Sequence, residues 1–317
     1  MSELLKAVFS TAFAYGMLRV TTPILFAALG ALVSDLAGVI NIGLEGMMLA
    51  GAFAGVVVSA ATHSAFFGLL AAVASGVLMA LILGYFSLKL KTDIILAGIA
   101  LNLLASGGTI FLLYLVAHDK GVSTSLASKV LPQVRIPILD SIPVLGAILS
   151  NHNVLVYVAM ISAVVVWYYL YRTPAGLRLR AVGENPGAAD SVGISVHRVQ
   201  LTALAISGAL AGFGGAHLSM GYVSWFARDM TAGRGFIGLA AEALGGRTPG
   251  GTVLASLFFG IADALSNYLQ SLRIPSEFVQ AVPYLLTVVA LAVYARQQTV
   301  RRARVAKLSQ NPEKKAA

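Results

Sequence analysis

Cysteine is absent from this chain of 317 residues, which excludes a disulfide framework and any thiolate metal site. Charge is scarce as well. Asp, Glu, Lys and Arg make up 11% of the sequence, against about 25% in soluble domains. A soluble fold could not hide the 58% of residues that are hydrophobic. No G-x-x-x-x-G-K-[ST] stretch occurs, so the chain has no P-loop with which to hold ATP. No H-E-x-x-H appears, and the five histidines are scattered. Ser123 and Ser195 follow Gly-x in polar loops. His217 is the histidine well inside an apolar run, and no serine is evidently paired with it. The sequence therefore offers no catalytic constellation and no metal site, and an intramembrane hydrolase is disfavoured. No cleavable signal peptide is evident, because the first apolar run continues beyond signal length.

What remains is long apolar runs. Crossing a bilayer takes roughly 20 apolar residues as a helix. Candidate spans are Leu5–Val33, Gly38–Ala61, Ala65–Leu90, Ile94–Val116, Val154–Tyr171, Val199–Met220, Val253–Leu269 and Phe278–Tyr294. A shorter piece, Gly235–Gly245, is too brief to cross upright. The expectation is an all-α polytopic membrane protein of eight or nine segments, some broken or short. Residues 1–295 form the transmembrane domain and 296–317 a tail. That tail region is basic, with Arg296, Arg301, Arg302, Arg304, Lys307, Lys314 and Lys315. Such a cluster marks a cytoplasmic end and can touch anionic lipid, so the net charge of +9 does not argue for nucleic acid. Lys89 and Lys91, and the arginines at 172, 178, 180 and 198, place their turns in the cytoplasm. Residues 117–153 then lie outside, and Pro132, Pro137 and Pro143 argue against continuous helix there. Trp167, Tyr168, Tyr169 and Tyr171 at one span end read as an interfacial belt. The side of the N-terminus stays open.

Two stretches break the plain apolar pattern. One runs from Gly38 to Gly51 and the other from Gly235 to Gly246, and both carry Ile-Gly-Leu followed by a carboxylate, Glu45 or Glu242. Glycine-interrupted segments in two halves point to a central site in transporters. Asn41 and Glu45 are four apart and would share a helix face. Each carboxylate either caps a broken helix end or contacts solute, since a lone charge at membrane depth costs about 2.5–3.5 kcal/mol. Asp263, Asn267 and Gln270 form one polar stripe, and Asn102, Ser106 and Thr109 another. The first reads as pathway lining, the second as helix glue, although Asn102 stays a pathway candidate with Asn41, Glu45, Glu242, Asp263 and Asn267. Gly51-x-x-x-Gly55 and Gly208-x-x-x-Gly212 allow close helix approach. Trp225 and Phe226, in an outside loop, are candidates to receive a docking partner.

The polar loop 172–198 is the most informative segment. Asn185-Pro186 has the form of an N-cap followed by proline at the first helical position. Pro186–Val192 reads as a short helix closed by Gly193. A small helix held between two membrane spans suits a permease on which another protein must push.

That loop resembles the coupling helix of ABC importer permeases, which docks into a groove of the ATPase subunit. The stretch Asp35–Ala52 resembles the N-terminal signature of permeases of the nucleoside and simple-sugar ABC importers. The segments Ala181–Ala189 and Gly235–Gly251 are similar to the same family, and the likeness runs from about residue 5 to residue 295. Branched-chain amino-acid permeases look similar around Asn41–Gly43, while the residues after Leu44 lean toward the nucleoside branch. The resemblance implies a bacterial inner-membrane complex in which the chain itself carries no cofactor. Its partners would be a second, related permease, a cytoplasmic ATPase that holds ATP and Mg, and an extracytoplasmic binding protein or lipoprotein. Nucleosides lead as the small polar solute, then simple sugars, then branched-chain amino acids. Gly183, Glu184, Asn185, Ala188, Ala189 and Gly193 are expected at the ATPase contact. The competing reading is an ion-coupled secondary transporter with Glu45, Glu242 and Asp263 as ion sites.

Overall fold

A computed structural model describes residues 10–137 and 142–270, and within them the chain is almost entirely helical. In chain order the helices are α1 (Thr11–Leu36), α2 (Leu44–Thr62), α3 (Ala65–Gly84), α4 (Ile94–Ala117), α5 (Pro143–Leu149), α6 (Val154–Arg172), α7 (Pro174–Glu184), α8 (Pro186–Ser191), α9 (Val196–His217), α10 (Arg234–Leu244) and α11 (Pro249–Gln270). A π-helical turn extends α3 through Tyr85–Lys89, and another extends α9 through Leu218–Tyr222. Among the described residues, seven helices are long and apolar enough to cross a membrane. The expected span Phe278–Tyr294 and the tail 296–317 lie outside the described residues.

Apolarity cannot decide which face of such helices turns inward, because lipid is as apolar as the core. Side-chain size decides it. In α3 the buried positions are Gly68, Ala72, Gly76, Ala80, Leu83 and Gly84, while Phe66, Phe67, Leu70 and Leu78 face outward. A β-carbon on Gly76 would sit 2.2 Å from the Gly208 carbonyl oxygen, and one on Gly208 would sit 2.3 Å from that of Gly76. One on Gly212 would meet the Ala72 carbonyl at 2.6 Å, and one on Gly51 the Gly212 α-carbon at 3.0 Å. The expected small-residue faces thus join α2, α3 and α9 backbone to backbone.

Helix α1 is the central post, buried from Val20 to Ser34 and packed against α9, α10, α11 and α6. Pro23 interrupts it. Proline has no N–H, so the carbonyl of Arg19, four residues earlier, loses its helical partner. His217 of α9 fills the gap, with Nε2 3.1 Å from the Arg19 oxygen. A freed backbone group at membrane depth is met by a neighbouring helix.

Two helices begin inside the bundle. The candidate span Gly38–Ala61 is interrupted at its start, as its glycines suggested: α1 ends in a Schellman turn at Gly38 (φ 78°), with Gly38 N–H to Asp35 O and Val39 N–H to Ser34 O. Helix α2 starts only at Leu44, beside Gly30, a full turn and more back along α1. The short piece Gly235–Gly245 becomes α10, whose 11 residues span about 16 Å, roughly half the hydrocarbon thickness.

Loop 117–153 closes the end of the bundle opposite α7 and α8. Its strand Gln133–Val134 pairs antiparallel with His152–Asn153, and Pro143 begins the short α5 rather than breaking it. His152 stacks on Tyr15 with ring centroids 4.0 Å apart; burial lowers its pKa, against the raising effect of the Ile148 carbonyl. Phe226, expected to be open to a partner, is fully buried and meets Phe53 edge to face, because Ser123 Oγ and the Ser123 N–H pin its backbone to the loop.

The glycine seam makes a direct prediction. Gly76→Val should leave too little folded protein for a thermal midpoint, or lower stability by more than the roughly 1–3 kcal/mol typical of overpacking, because the obstacle is backbone. Gly107→Ala, with open space around it, should leave the midpoint in detergent within a few degrees of the parent.

Candidate functional site

The surface unit opposite the 117–153 loop is built first from caps. Thr173 accepts the Gly176 N–H at 3.1 Å and donates to the Tyr169 carbonyl at 2.6 Å, which turns α7 back against the end of α6. Leu179 and Val182 are the buried side chains of α7. Sequence reading left this helix unrecognised, since its polar face and Gly176 masked a buried stripe only 11 residues long. Asn185 then breaks the helix and caps the next, accepting the Ala188 N–H at 3.0 Å. Gly193 (φ 83°) closes α8 in a Schellman turn, with Ile194 N–H to Ala189 O and Gly193 N–H to Asp190 O. The sequence-level reading of cap, proline and closing glycine is borne out.

The unit's residues divide in two. Glu184, Asn185, Ala188 and Gly193 are exposed. Ala189, expected on the docking surface, is instead 4% exposed and faces the chain's own core, since α8 is one and a half turns long and needs one side chain for its mount. Gly183 is also a mount. A β-carbon there would meet the Leu36 carbonyl at 2.1 Å and the Gly38 nitrogen at 3.1 Å, so α7 rests backbone to backbone on the end of α1. Gln200 adds a bond to the Ala37 carbonyl at 3.3 Å.

From there an ion pair leads to α10. Arg247 donates through Nε and Nη2 to the two oxygens of Asp35, and Asp35 is largely buried. The turn holding Arg247 is the Schellman closure of α10 at Gly246 (φ 65°). Glu242, 5% exposed, faces Asp35 and Arg247, and its Oε1 has no partner among the described residues. It therefore belongs to this latch at the end of α10, away from the mid-bundle break.

The other end of α10 meets the start of α2. Glu45 Oε1 accepts the Gly233 N–H at 2.8 Å and Oε2 accepts the Gly235 N–H at 2.7 Å. A carboxylate at a helix N-terminus satisfies orphan donors and complements the dipole. Gly235 has no room for a side chain, since a β-carbon would lie 2.5 Å from the Glu45 nitrogen. Of the two roles left open for Glu45, the cap is the one observed.

Asn41 does not share a helix face with Glu45, because it precedes α2. It is fully buried, donates to Ser207 Oγ at 2.9 Å and accepts the Gly43 N–H at 3.1 Å, so it shapes the break. Asn102 accepts the Gly46 N–H at 2.8 Å and donates to the Ile42 carbonyl at 2.9 Å, gluing α4 to the same break. Ser106 of that stripe donates to Asp229 at 2.7 Å. Asp263 is engaged by Arg234 at 3.0 Å, with both side chains largely buried. Asn267 is exposed and lines a cavity with Arg19 and Tyr222. The side chain of Gln270 lies outside the described residues.

Arg234 was missed. A cation in the first turn of a helix opposes the helix dipole, so its place directly before an apolar run was the available signal that a carboxylate must meet it. Removing the α10 cap should be costly. Glu45→Ala is expected to lower stability by about 1–3 kcal/mol for each of the two orphaned N–H groups, and Glu45→Gln to recover part of it. Thermal unfolding of the purified chain in detergent reads both, and an unchanged midpoint for Glu45→Ala contradicts the capping role.

Comparison with known proteins agrees with this architecture. Residues 13–291 match the family described as branched-chain amino acid transport system / permease component. The chain is 36% identical over 289 residues to the nucleoside ABC transporter permease protein NupC of Lactococcus lactis, covering 88% of this chain and 90% of that protein. It is 37% identical over 285 residues to the guanosine ABC transporter permease protein NupQ of Bacillus subtilis, covering 85% and 87%. A solved inward-facing ABC transporter, described as of metal-chelate type, superposes with a TM-score of 0.53 at 16% identity over 86% of this chain and 84% of its own, a likeness of fold alone. Matched from α1 to beyond α11, the chain belongs to the branched-chain amino acid transport system / permease component family.

Proposed function

We propose that this chain is the membrane-spanning half of an ATP-driven importer and that it carries nucleosides inward across a bacterial inner membrane. The observation that carries the reading is the surface unit α7–α8, seated without side chains on the end of α1 at Gly183. Displacement of α8 would pass through α1 to the Asp35–Arg247 latch and on to α10, whose far end is held by Glu45 and Asp263 at the middle of the bundle. Force from a separate ATPase would thus reach both broken helices. The relatives at 36% and 37% identity support nucleosides over amino acids. Glu184, Asn185, Ala188 and Gly193 would meet the ATPase, with Gly183 and Ala189 acting as the mount. A second permease and an extracytoplasmic binding protein complete the complex, and ATP and Mg belong to the ATPase.

The ion-coupled alternative loses two of its three sites, and the third, Glu242, lies beside Asp35 and Arg247. Glu45 is spent on two backbone N–H groups and Asp263 on Arg234. Ala188→Arg should abolish uptake while membrane abundance stays at the parent level, because the exposed position tolerates the side chain in the chain itself. Uptake of labelled nucleosides, pentoses and leucine by cells carrying the complete transporter provides the assay. Normal nucleoside uptake by the Ala188→Arg variant contradicts the coupling role, and sugar uptake without nucleoside uptake overturns the solute.

A further inference from the structure

Opposite the coupling unit, beneath the 117–153 loop, two cavities meet at Arg19 and Tyr222. One, of about 300 Å³, is lined among others by Asn267 and Tyr268. The other, of about 200 Å³, is lined by Trp225 and Arg234. Both share Arg19, Val20 and Tyr222. The Arg19 guanidinium lies 4.1 Å from the centre of the Tyr222 ring and donates to the Tyr222 carbonyl. Trp225, at 38% exposure, keeps an open face. Arg234 is held by Asp263, and its Nε has no acceptor among the described residues.

The lining selects a chemical class. Among the described residues it carries two guanidinium groups and no carboxylate, so none of them would receive the ammonium group of an amino acid. Aromatic faces and guanidinium planes stack on planar heterocycles. Arginine forks also match paired acceptors on a purine edge, such as O6 and N7 of guanine. Asn267 offers both a donor and an acceptor to sugar hydroxyls. We infer that this double cavity is the first solute site of the permease, with the base of a nucleoside against Arg19, Tyr222 and Trp225 and its ribose toward Asn267 and Tyr268.

This site rests on the nucleoside reading and locates it. Its position suits that role, because Leu131 and Ser123 of the loop bond to the backbone of Met220 and Phe226 on the segment that frames the cavities. Solute passing the loop would meet Arg19 before it met the break at Glu45.

The test uses the complete transporter in cells, with uptake of labelled guanosine measured against concentration. Trp225→Ala and Arg19→Lys should each raise KM about tenfold, as expected for loss of one stacking face or one arginine fork. Maximal rate and membrane abundance should change little, and Trp225→Phe should return KM toward the parent value. Parental KM in both Trp225→Ala and Arg19→Lys, alongside good guanosine uptake by the parent, overturns this site and leaves the nucleoside reading standing. Absence of nucleoside uptake by the parent overturns that reading, and the site with it.

Discussion

A broken helix inside a bilayer leaves backbone donors that water cannot reach, and the Glu45 carboxylate meets that demand at the centre of this protein. Its two oxygens take the N–H groups of Gly233 and Gly235, so the start of α2 and the start of α10 become one joint. Without a carboxylate there, each orphaned group would carry a desolvation cost of about 1–3 kcal/mol. Asn41 and Asn102 meet the N–H groups of Gly43 and Gly46 and the carbonyl of Ile42 at the α2 break, and Asn41 is anchored on Ser207. The polar side chains of the break are therefore engaged by backbone groups and by one another.

The joint is useful because its surroundings are stiff. Glycine contacts between α2, α3 and α9 bring backbones together with no side chain between them. Such contacts do not yield by rotamer change, so movement at one end of a helix is carried along it. The α7–α8 unit is attached in the same manner at Gly183, and Asp35–Arg247 connects that attachment to α10. A packed path then joins the surface to the joint, made of elements that shift as bodies rather than bend.

Much of this was legible from residues. The cap, proline and closing glycine of α8 were read at their correct positions, because local turn chemistry does not depend on partners. The small-residue faces at Gly51 and Gly208 were read correctly because close helix approach needs small residues whichever helix is the partner. The interruption before α2 was legible as well, from the glycines between Gly38 and Gly51, but the groups that hold it, Asn102 and Ser207, were not. The stripe at Asp263 was legible, but its partner Arg234, 29 residues away, was not. Phe226 looked open until the loop was seen to cover it.

Composition and periodicity by themselves determined that the chain lives in a bilayer, where the seven spans of the described residues lie and that a short capped helix stands between two of them. These properties follow from transfer free energy and from bonds between near neighbours, which a linear string records. Tertiary structure alone decided what the buried charges do. A carboxylate in lipid must find a partner, but which partner depends on segments nearly 200 residues apart being folded together, as Glu45 and Gly235 are.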